Sequence, residues 1–465
     1  MTRNDLTQMS HDELIDLVLA NFHESVKLAE QNSQLRAEIE ALRMKLDKGK
    51  KPPTNSSNSS QPPSRDQKGN LAPKRKKHKH GPAHGHIKQE REFVADPDHV
   101  VELKPQVCQQ CQADLSQAEM VLVDITQITE VPAAKAEVIE VRQYKADCAC
   151  CGASQVVAPP AGLEMARRFG ARLEATVVYY RQEQHMSYVR TQAALRNLHA
   201  VEISQGGIDK IMQRAVKKAL QEVKTIEAEI RQSALIYSDE TGGRVDGNTW
   251  WQWVFSSATA VLHVLRFNRS YDVIREVMGK HRTQFWVSDC FGPQMKARSK
   301  KHQICLSHQI RNLQAVVERY PKVFWARQVQ CLLRYAIHLH NHRQDIPAKT
   351  FSNRVKRLEK IFDKLLNQEL EQPEARRLQR RYQKFRNAIF VFLHHPDVSP
   401  TNNISERYLR PAVIHRKVTG GFRSGWGAQG YAALKSLIDT AALTGGSPYV
   451  VIQNLFGTPA LPLGV

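Results

Sequence analysis

Two short runs of apolar residues each end in an acidic residue. Residues 235–239 form the first run, which ends at Asp239 ahead of a Gly-Gly turn, and residues 285–289 form the second, which ends at Asp289. Apolar runs of about four to eight residues that stop at turn residues are typical of buried strands. We therefore expect each of the two acids to lie at the end of a strand.

Two more strands are predicted between these runs. Residues 249–255 and 260–267 are rich in aromatic and β-branched side chains, and we interpret the tryptophans of the first segment as core residues. Residues 271–280 then predict a helix. A meander of three antiparallel strands, a helix and a fourth strand is the order of the ribonuclease-H-like fold, in which the first and fourth strands are neighbours. The two acids are therefore expected to meet at one end of the sheet.

Helical periodicity predicts much of the remaining structure. Apolar residues at steps of three and four over residues 11–47 are typical of a coiled-coil seam, or of one amphipathic helix packed on its own protein. Residues 162–232 predict helices with a break ahead of Ser204, which fits an N-cap. Helix, turn and helix suit binding in a DNA major groove and equally an ordinary helical hairpin. Residues 308–395 predict a helical insertion, whose cations either border DNA or form a solvated face.

A third acid, Glu406, opens a further predicted helix in which cations recur at helical spacing. Together with Asp239 and Asp289 it gives three carboxylates, a number that suits two Mg²⁺ ions about 3.5–4 Å apart in phosphoryl transfer. Carboxylate oxygens are ligands that Mg²⁺ prefers. Glu240 directly follows Asp239 on a strand and is expected on the opposite face, so the predicted site leaves it out.

The charge of the chain indicates a polyanionic partner. Its 465 residues include 67 Lys and Arg against 46 Asp and Glu, a formal net charge of +21, which favours nucleic acid. Residues 49–70 have the composition of a flexible linker, and the basic block that follows at residues 74–80 suits phosphate contacts, with a solvated face as the alternative. No apolar run is long enough to span a membrane and the N-terminus does not resemble a secretory signal, so a cytoplasmic protein is expected.

The cysteine spacing predicts a zinc site. Two Cys-x-x-Cys pairs are separated by a segment rich in strand-forming residues, notably residues 138–141, and Cys150 lies inside the second pair. Two such pairs can supply four thiolates to one structural zinc ion, and unpaired thiols are the alternative. The sequence does not decide which two of the three cysteines at 148, 150 and 151 bind. The predicted ligands are Cys108, Cys111, Cys148 and Cys151.

Several motifs together resemble the insertion sequence sixty-six family of bacterial transposases. They are Asp239-Glu240-Thr241, the tryptophan-rich strand at 250–254, Cys305-Leu306-Ser307-His308, and residues 401–407 with Leu409-Arg410-Pro411 and Arg416-Lys417. The Cys-x-x-Cys pairs and the linker resemble the N-terminal half of that family.

The resemblance implies a DDE-type transposase. Such an enzyme uses Mg²⁺ or Mn²⁺ to cut the ends of an insertion sequence and joins the freed 3′ hydroxyls to target DNA, here with Asp239, Asp289 and Glu406 as the triad. The implied partners are the terminal inverted repeats, the target DNA, further copies of the chain and accessory transposition proteins. The residues expected to contact DNA are Arg407, Arg410, Arg416, Lys417, Lys74, Arg75, Lys76 and Lys77.

The predicted fold is multidomain α+β. Its parts are a coiled-coil helix (1–48), a disordered basic linker (49–91), a four-cysteine zinc-binding β module (92–160), a helical DNA-binding domain (161–232), a ribonuclease-H-like α/β catalytic domain (233–307 and 400–445), a helical insertion (308–399) and a C-terminal tail (446–465). Two other functions stay open at this point. A zinc-containing DNA-binding regulator would not need converging acids, and a metal-dependent nuclease would cut without joining.

Overall fold

The computed structural model describes residue 31 and residues 92–457, apart from 132–135, 160–161 and 165–166. Residue 31 is helical. Apart from it, the predicted coiled-coil helix and basic linker, with Lys74, Arg75, Lys76 and Lys77, lie outside the described residues, as does the end of the C-terminal tail.

The Cys-containing segment forms one small hairpin. Strands β1 (Lys145–Asp147) and β2 (Ser154–Val156) pair in antiparallel fashion around the second Cys-x-x-Cys turn. Residues 138–141, which are rich in strand-forming residues, form no strand. Val138 is 96% exposed, and strand propensity alone does not hold an extended segment that has neither a pairing strand nor a core to cover.

Three helices follow and confirm the helical prediction for this segment. They are α1 (Ala171–Gln182), α2 (Tyr188–His199) and α3 (Gln205–Gln232). Ser204 is the N-cap of α3, because its Oγ accepts a hydrogen bond from the N–H of Gly207 at 3.0 Å. Buried residues of α1 and α3 belong to the same hydrophobic core as the central sheet.

The central sheet has five strands, β3 (Leu235–Val245), β4 (Asn248–Ser256), β5 (Val261–Arg266), β6 (Thr283–Ser288) and β7 (Ser299–Ile304), in the order β5-β4-β3-β6-β7. The first three strands form the predicted antiparallel meander, and the strand that ends before Asp289 is the neighbour of the first strand, as predicted, and pairs with it in parallel. A fifth strand, parallel to the fourth, was not predicted. Helix α4 (Tyr271–Met278) lies between β5 and β6 in the chain.

The sheet separates two hydrophobic cores. Ile236 and Trp286 pack with the helices of the N-terminal side, whereas the next residues along each strand, Tyr237 and Val287, pack with the inserted helices. This alternation follows from the strand geometry, in which successive side chains point to opposite faces. The inserted helices are α5 (Leu306–Arg319), α6 (Phe324–Asn341), α7 (Ala348–Leu366), α8 (Pro373–Lys384) and α9 (Val391–His394). Short 3-10 helices occupy Gln294–Lys296, Arg343–Asp345 and Arg386–Ala388.

The last three helices return to the meander. Helix α10 (Asn403–Thr419) contacts β3 and β4, α11 (Gly425–Leu443) contacts β5 and α3, and α12 (Pro448–Asn454) contacts α1 and α11. Among the described residues, no helix is both long enough and apolar enough to cross a membrane.

Gly421 links the end of α10 to the sheet. Its φ is +115°, and a Cβ atom there would lie 2.7 Å from the carbonyl oxygen of Arg244. That oxygen accepts the N–H of Phe422 at 2.8 Å, and Phe422 forms a parallel bridge with Val245 at the end of β3. A side chain at this position would therefore disturb the contact that holds α10 against β3.

We expect Gly421→Ala to destabilise the protein by about 1–3 kcal/mol, because both the backbone conformation and the close approach exclude a Cβ atom. Gly425→Ala is the matched control, since its Cβ would lie 3.9 Å from the nearest atom. Urea unfolding followed by circular dichroism compares the two variants with the parent. Equal midpoints for the two variants would contradict the prediction.

Candidate active site

Asp239 and Asp289 lie at equivalent positions of neighbouring parallel strands. Tyr237 of β3 pairs with Val287 of β6, and each acid comes two residues after its member of this pair. Asp239 is within β3, which continues beyond it into the hairpin, while Asp289 directly follows β6. The parallel register therefore brings the two acids to the same level of the sheet.

Glu406 reaches the site because the start of α10 is tied to β3. The buried Asn402 precedes the helix, and its side-chain amide donates a hydrogen bond to the carbonyl of Ser238 at 2.9 Å. Its backbone N–H donates to Sγ of Cys305 at 3.2 Å. Glu406 is in the first turn of α10, so these two bonds hold the part of the helix that carries it against β3.

The three carboxyl groups are close enough to affect one another. Burial raises the pKa of Asp239 well above its usual range, and the charges of Glu240, Asp289 and Glu406 raise it further. Burial also raises the pKa values of Asp289 and Glu406, and the charge of Asp289 adds to the effect on Glu406. Like charges gathered in a partly buried site are stabilised by a bound cation. Three carboxylates also form the oxygen donor set that suits Mg²⁺.

Cations surround the acids and limit these shifts. Arg269 and Arg381 lower the pKa of Asp289 by their charge, although the hydrogen bond from the N–H of Phe291 has the larger lowering effect. Two further arginines do the same for Glu406. These four arginines come from separate elements. Arg269 precedes α4, Arg311 is on α5, Arg381 is on α8 and Arg410 is on α10.

Cys305 and His308 adjoin the third acid. The ligand atoms of Cys305, His308 and Glu406 lie within 4.8 Å of one another, and within the described ranges no other group of three such residues is as close. Burial lowers the pKa of His308 to about 4, helped by the charge of Arg311, and burial raises the pKa of the Cys305 thiol to about 11. Both side chains are therefore neutral at neutral pH.

One carboxylate oxygen of Glu406 has no hydrogen-bond partner in the described structure. This atom, Oε1, is buried and lies 3.6 Å from Nδ1 of His308 and 3.7 Å from Nη2 of Arg311. A buried oxygen with unused lone pairs fits a place in a cation's coordination sphere. The motif Cys-x-x-His was visible in the sequence, and Arg311 lies one helical turn after its histidine, so helical spacing could have identified both residues.

The predicted DNA-contacting cations of α10 have different surroundings. Arg407, Arg410 and Lys417 are exposed. Arg416 donates a hydrogen bond to Oγ1 of Thr241 at 3.2 Å and is thus bound to β3, close to the acid of that strand.

The two Cys-x-x-Cys segments form the same turn. In each, the carbonyl of the first cysteine accepts the N–H of the fourth residue after it, and its own N–H donates to the carbonyl of the fifth, at 2.8–2.9 Å. Backbone N–H groups of the next cysteines lower the pKa values of Cys108 and Cys148. No three of the thiols at 108, 111, 148, 150 and 151 come within 4.8 Å of one another in the described structure.

A family model described as "Transposase IS66 family" matches residues 167–430, which is more than half of the chain. The matched segment includes the five-stranded sheet, the inserted helices and all three acids. No curated protein matches the chain.

We expect Asp239→Asn to stabilise the metal-free protein at pH 8, because it removes one of several like charges from a partly buried site. The folded-state pKa of Asp239 is raised, so the stability that the protonated acid supplies is present below its unfolded pKa and is lost as the pH rises through the folded pKa. Thermal unfolding in EDTA should show a rise in Tm of about 2–4 °C at pH 8 for each kcal/mol relieved.

The gain should shrink as the pH falls toward 4, where the parent acid is protonated as well. Asp363→Asn is the control, because that carboxylate is exposed and pairs with Arg386 at the surface. A Tm for Asp239→Asn that is unchanged or lower at pH 8 would show that the carboxylates do not repel one another.

Proposed function

The chain belongs to the IS66 family of transposases, and we propose that it is a DDE-type enzyme. In this proposal it cleaves the ends of an insertion sequence and joins the 3′ hydroxyls to target DNA by two-metal phosphoryl transfer. The observation that carries the proposal is that three acids from distant segments interact: the charges of Asp289 and Glu406 raise the pKa of Asp239, and the charge of Asp289 raises the pKa of Glu406.

In this proposal Asp239, Asp289 and Glu406 hold Mg²⁺ or Mn²⁺. When bound, the metal pair supplies charge neutralisation and activation of the attacking oxygen. The protein contributes a fixed set of oxygen donors, two of them at the same level of adjacent strands and the third on a helix that is hydrogen-bonded to β3. Neutral His308 adds no charge beside Glu406, so the local electrostatics are set by carboxylates and guanidinium groups.

The arginines around the acids suit the phosphates of bound DNA. Guanidinium groups bind phosphate oxygens with paired hydrogen bonds, and phosphate contacts position a protein on DNA without reading its sequence. Arg407, Arg410 and Lys417 would contact the strand from α10, and Arg416 would support β3. Arg311 and Arg381 belong to the inserted helices and would contact the DNA next to the scissile phosphate. The insertion would therefore border the DNA at the active site.

We further propose that Cys108, Cys111, Cys148 and Cys151 hold a structural zinc ion and that Cys150 does not. The support is the shared turn, in which the cysteines at 108 and 148 occupy one position and those at 111 and 151 the other. Backbone N–H groups directed at a thiol stabilise the thiolate, which is the form that binds zinc. Each Cys-x-x-Cys pair would supply two of the four thiolates of a tetrahedral zinc site.

Glu406→Gln should keep binding of the element ends and reduce cleavage by about 10³-fold or more, because the variant keeps its size but loses a metal-binding charge. The assay uses purified protein, Mg²⁺ and a plasmid that carries the element's own ends, with end binding measured by gel shift. Glu369→Gln, at an exposed position between α7 and α8, is the matched control.

The products of the parent protein distinguish the other functions. Cleavage without joined products would indicate a nuclease, and end binding without cleavage would indicate a DNA-binding regulator. Full cleavage by Glu406→Gln would remove the third acid from the proposed triad.

Cys148→Ser should lose bound zinc, whereas Cys150→Ser should keep it, because only the former occupies the position equivalent to Cys108. Zinc content after dialysis, measured by atomic emission, tests this. Equal zinc content in the two variants would contradict the proposed ligand set.

A further inference from the structure

Glu240 is a buried acid beside the proposed triad, and its partners are well defined. Its Oε1 accepts hydrogen bonds from Nε and Nη2 of Arg269 at 3.0 and 2.6 Å, and its Oε2 accepts one from the side-chain amide of Gln294 at 2.8 Å. The residue is 8% exposed. Both carboxylate oxygens are therefore used, and the acid is placed to hold a cationic side chain.

Two aromatic rings pack against Arg269 in addition to the carboxylate at its edge. Its guanidinium carbon lies 4.4 Å from the centre of the Trp251 ring and 4.0 Å from the centre of the Phe291 ring. A planar guanidinium can stack between two rings while its edge binds a carboxylate, which the ammonium group of lysine cannot reproduce. The position of the Phe291 ring is therefore coupled to the position of Arg269.

Phe291 and Gln294 connect this arrangement to the second acid of the triad. The backbone N–H of Phe291 donates a hydrogen bond to Oδ1 of Asp289 at 2.9 Å. Gln294 is fully buried, donates to Oγ of Ser238 at 3.2 Å and accepts from Nε1 of Trp286 at 3.1 Å. The segment that follows β6 is thus fixed to β3 through side chains, although its backbone has left the sheet.

We propose that Arg269, held by Glu240, is a positioning residue that fixes residues 289–294 so that Asp289 presents its carboxylate to the same divalent cation as Asp239. This inference rests on the function proposed above. It assigns a role to Glu240, which the strand alternation had excluded from the site. Glu240 acts through the arginine and the segment behind it and supplies no ligand.

The sign of the effect on metal binding separates positioning from simple charge. Arg269 carries a positive charge close enough to Asp289 to lower the pKa of that acid. If only this charge mattered, its removal would strengthen the binding of a cation. If the residue positions Asp289, its removal weakens cation binding, because the carboxylate is no longer held toward Asp239.

The test is Mn²⁺ binding to the DNA-free protein, measured by isothermal titration calorimetry, together with the Mg²⁺ dependence of cleavage. Arg269→Ala should weaken Mn²⁺ binding and raise the Mg²⁺ concentration for half-maximal cleavage by about ten-fold or more, the usual cost of losing a group that orients a metal ligand. Arg269→Lys should behave in the same way, because it keeps the charge but loses the stacked and paired geometry.

Arg266→Ala is the matched control. It removes another arginine bound to a glutamate by several hydrogen bonds, its partner being Glu276 on α4, and it should leave both measurements unchanged. Thermal unfolding checks that each variant is folded. If Arg269→Ala is unfolded, the Mn²⁺ binding of Arg269→Lys decides the test.

The outcomes separate this inference from the proposed function. If Glu406→Gln abolishes cleavage while Arg269→Ala binds Mn²⁺ as tightly as Arg266→Ala or more tightly, the positioning role is wrong and the triad stands. If Glu406→Gln cleaves normally, the third acid is removed from the proposed triad, whereas weaker Mn²⁺ binding in both Arg269 variants still supports the positioning of Asp289 toward Asp239. Weaker Mn²⁺ binding in both Arg269 variants, with Glu406→Gln inactive, supports both.

Discussion

The parallel pairing of β3 with β6 is the constraint on which the rest of the structure depends. It pairs Tyr237 with Val287, and Asp239 and Asp289 each lie two residues after this pair. It also gives the centre of the sheet a buried face on each side. Ile236 and Trp286 then face the N-terminal helices, while Tyr237 and Val287 face the inserted helices. A shift of one residue in this pairing would exchange these faces and separate the acids. The packing of two cores and the geometry of the site therefore rest on the same register.

Gathering carboxylates in a partly buried place costs stability, and the surrounding structure offsets that cost. Burial raises the pKa values of all three acids, neighbouring carboxylates raise those of Asp239 and Glu406 further, and four arginines from separate elements act in the opposite direction on Asp289 and Glu406. The amide of Asn402 and the Glu240–Arg269 pair hold the backbone segments that carry the acids. Unfavourable arrangements of this kind are common at functional sites, where the rigid surrounding structure holds the repelling groups in place.

Much of the sheet could be predicted from sequence because its inner strands are apolar runs, and the neighbour relation of β3 and β6 followed from the order of elements. Strand β7 could not, because its residues Ser-Lys-Lys-His-Gln-Ile are mostly polar and only a neighbouring strand makes them extended. The roles of Arg269 and Asn402 were equally hidden. Each acts through one contact with a residue far away in sequence, and no local periodicity marks such a contact. Residues 138–141 are the reverse case, because their side chains favour a strand but no neighbouring strand pairs with them.

The long helical segment between the second and third acids is compatible with the site because its two ends meet. The N–H of Leu306, where the insertion begins, donates a hydrogen bond to the carbonyl of Pro400 at 2.9 Å, and Asn402 bonds to Cys305, 97 residues earlier. Closing a loop of this length costs only slightly more entropy than closing a shorter one, and the buried core of the helices supplies ample compensation. Helices α5 and α8 place Arg311 and Arg381 close enough to the acids to lower the pKa values of Glu406 and Asp289. The insertion therefore contributes to the electrostatics of the site. In the proposed function, DNA that touched these arginines would be brought by the same contact to the carboxylates, so recognition of the backbone and access to the proposed catalytic centre would be one event.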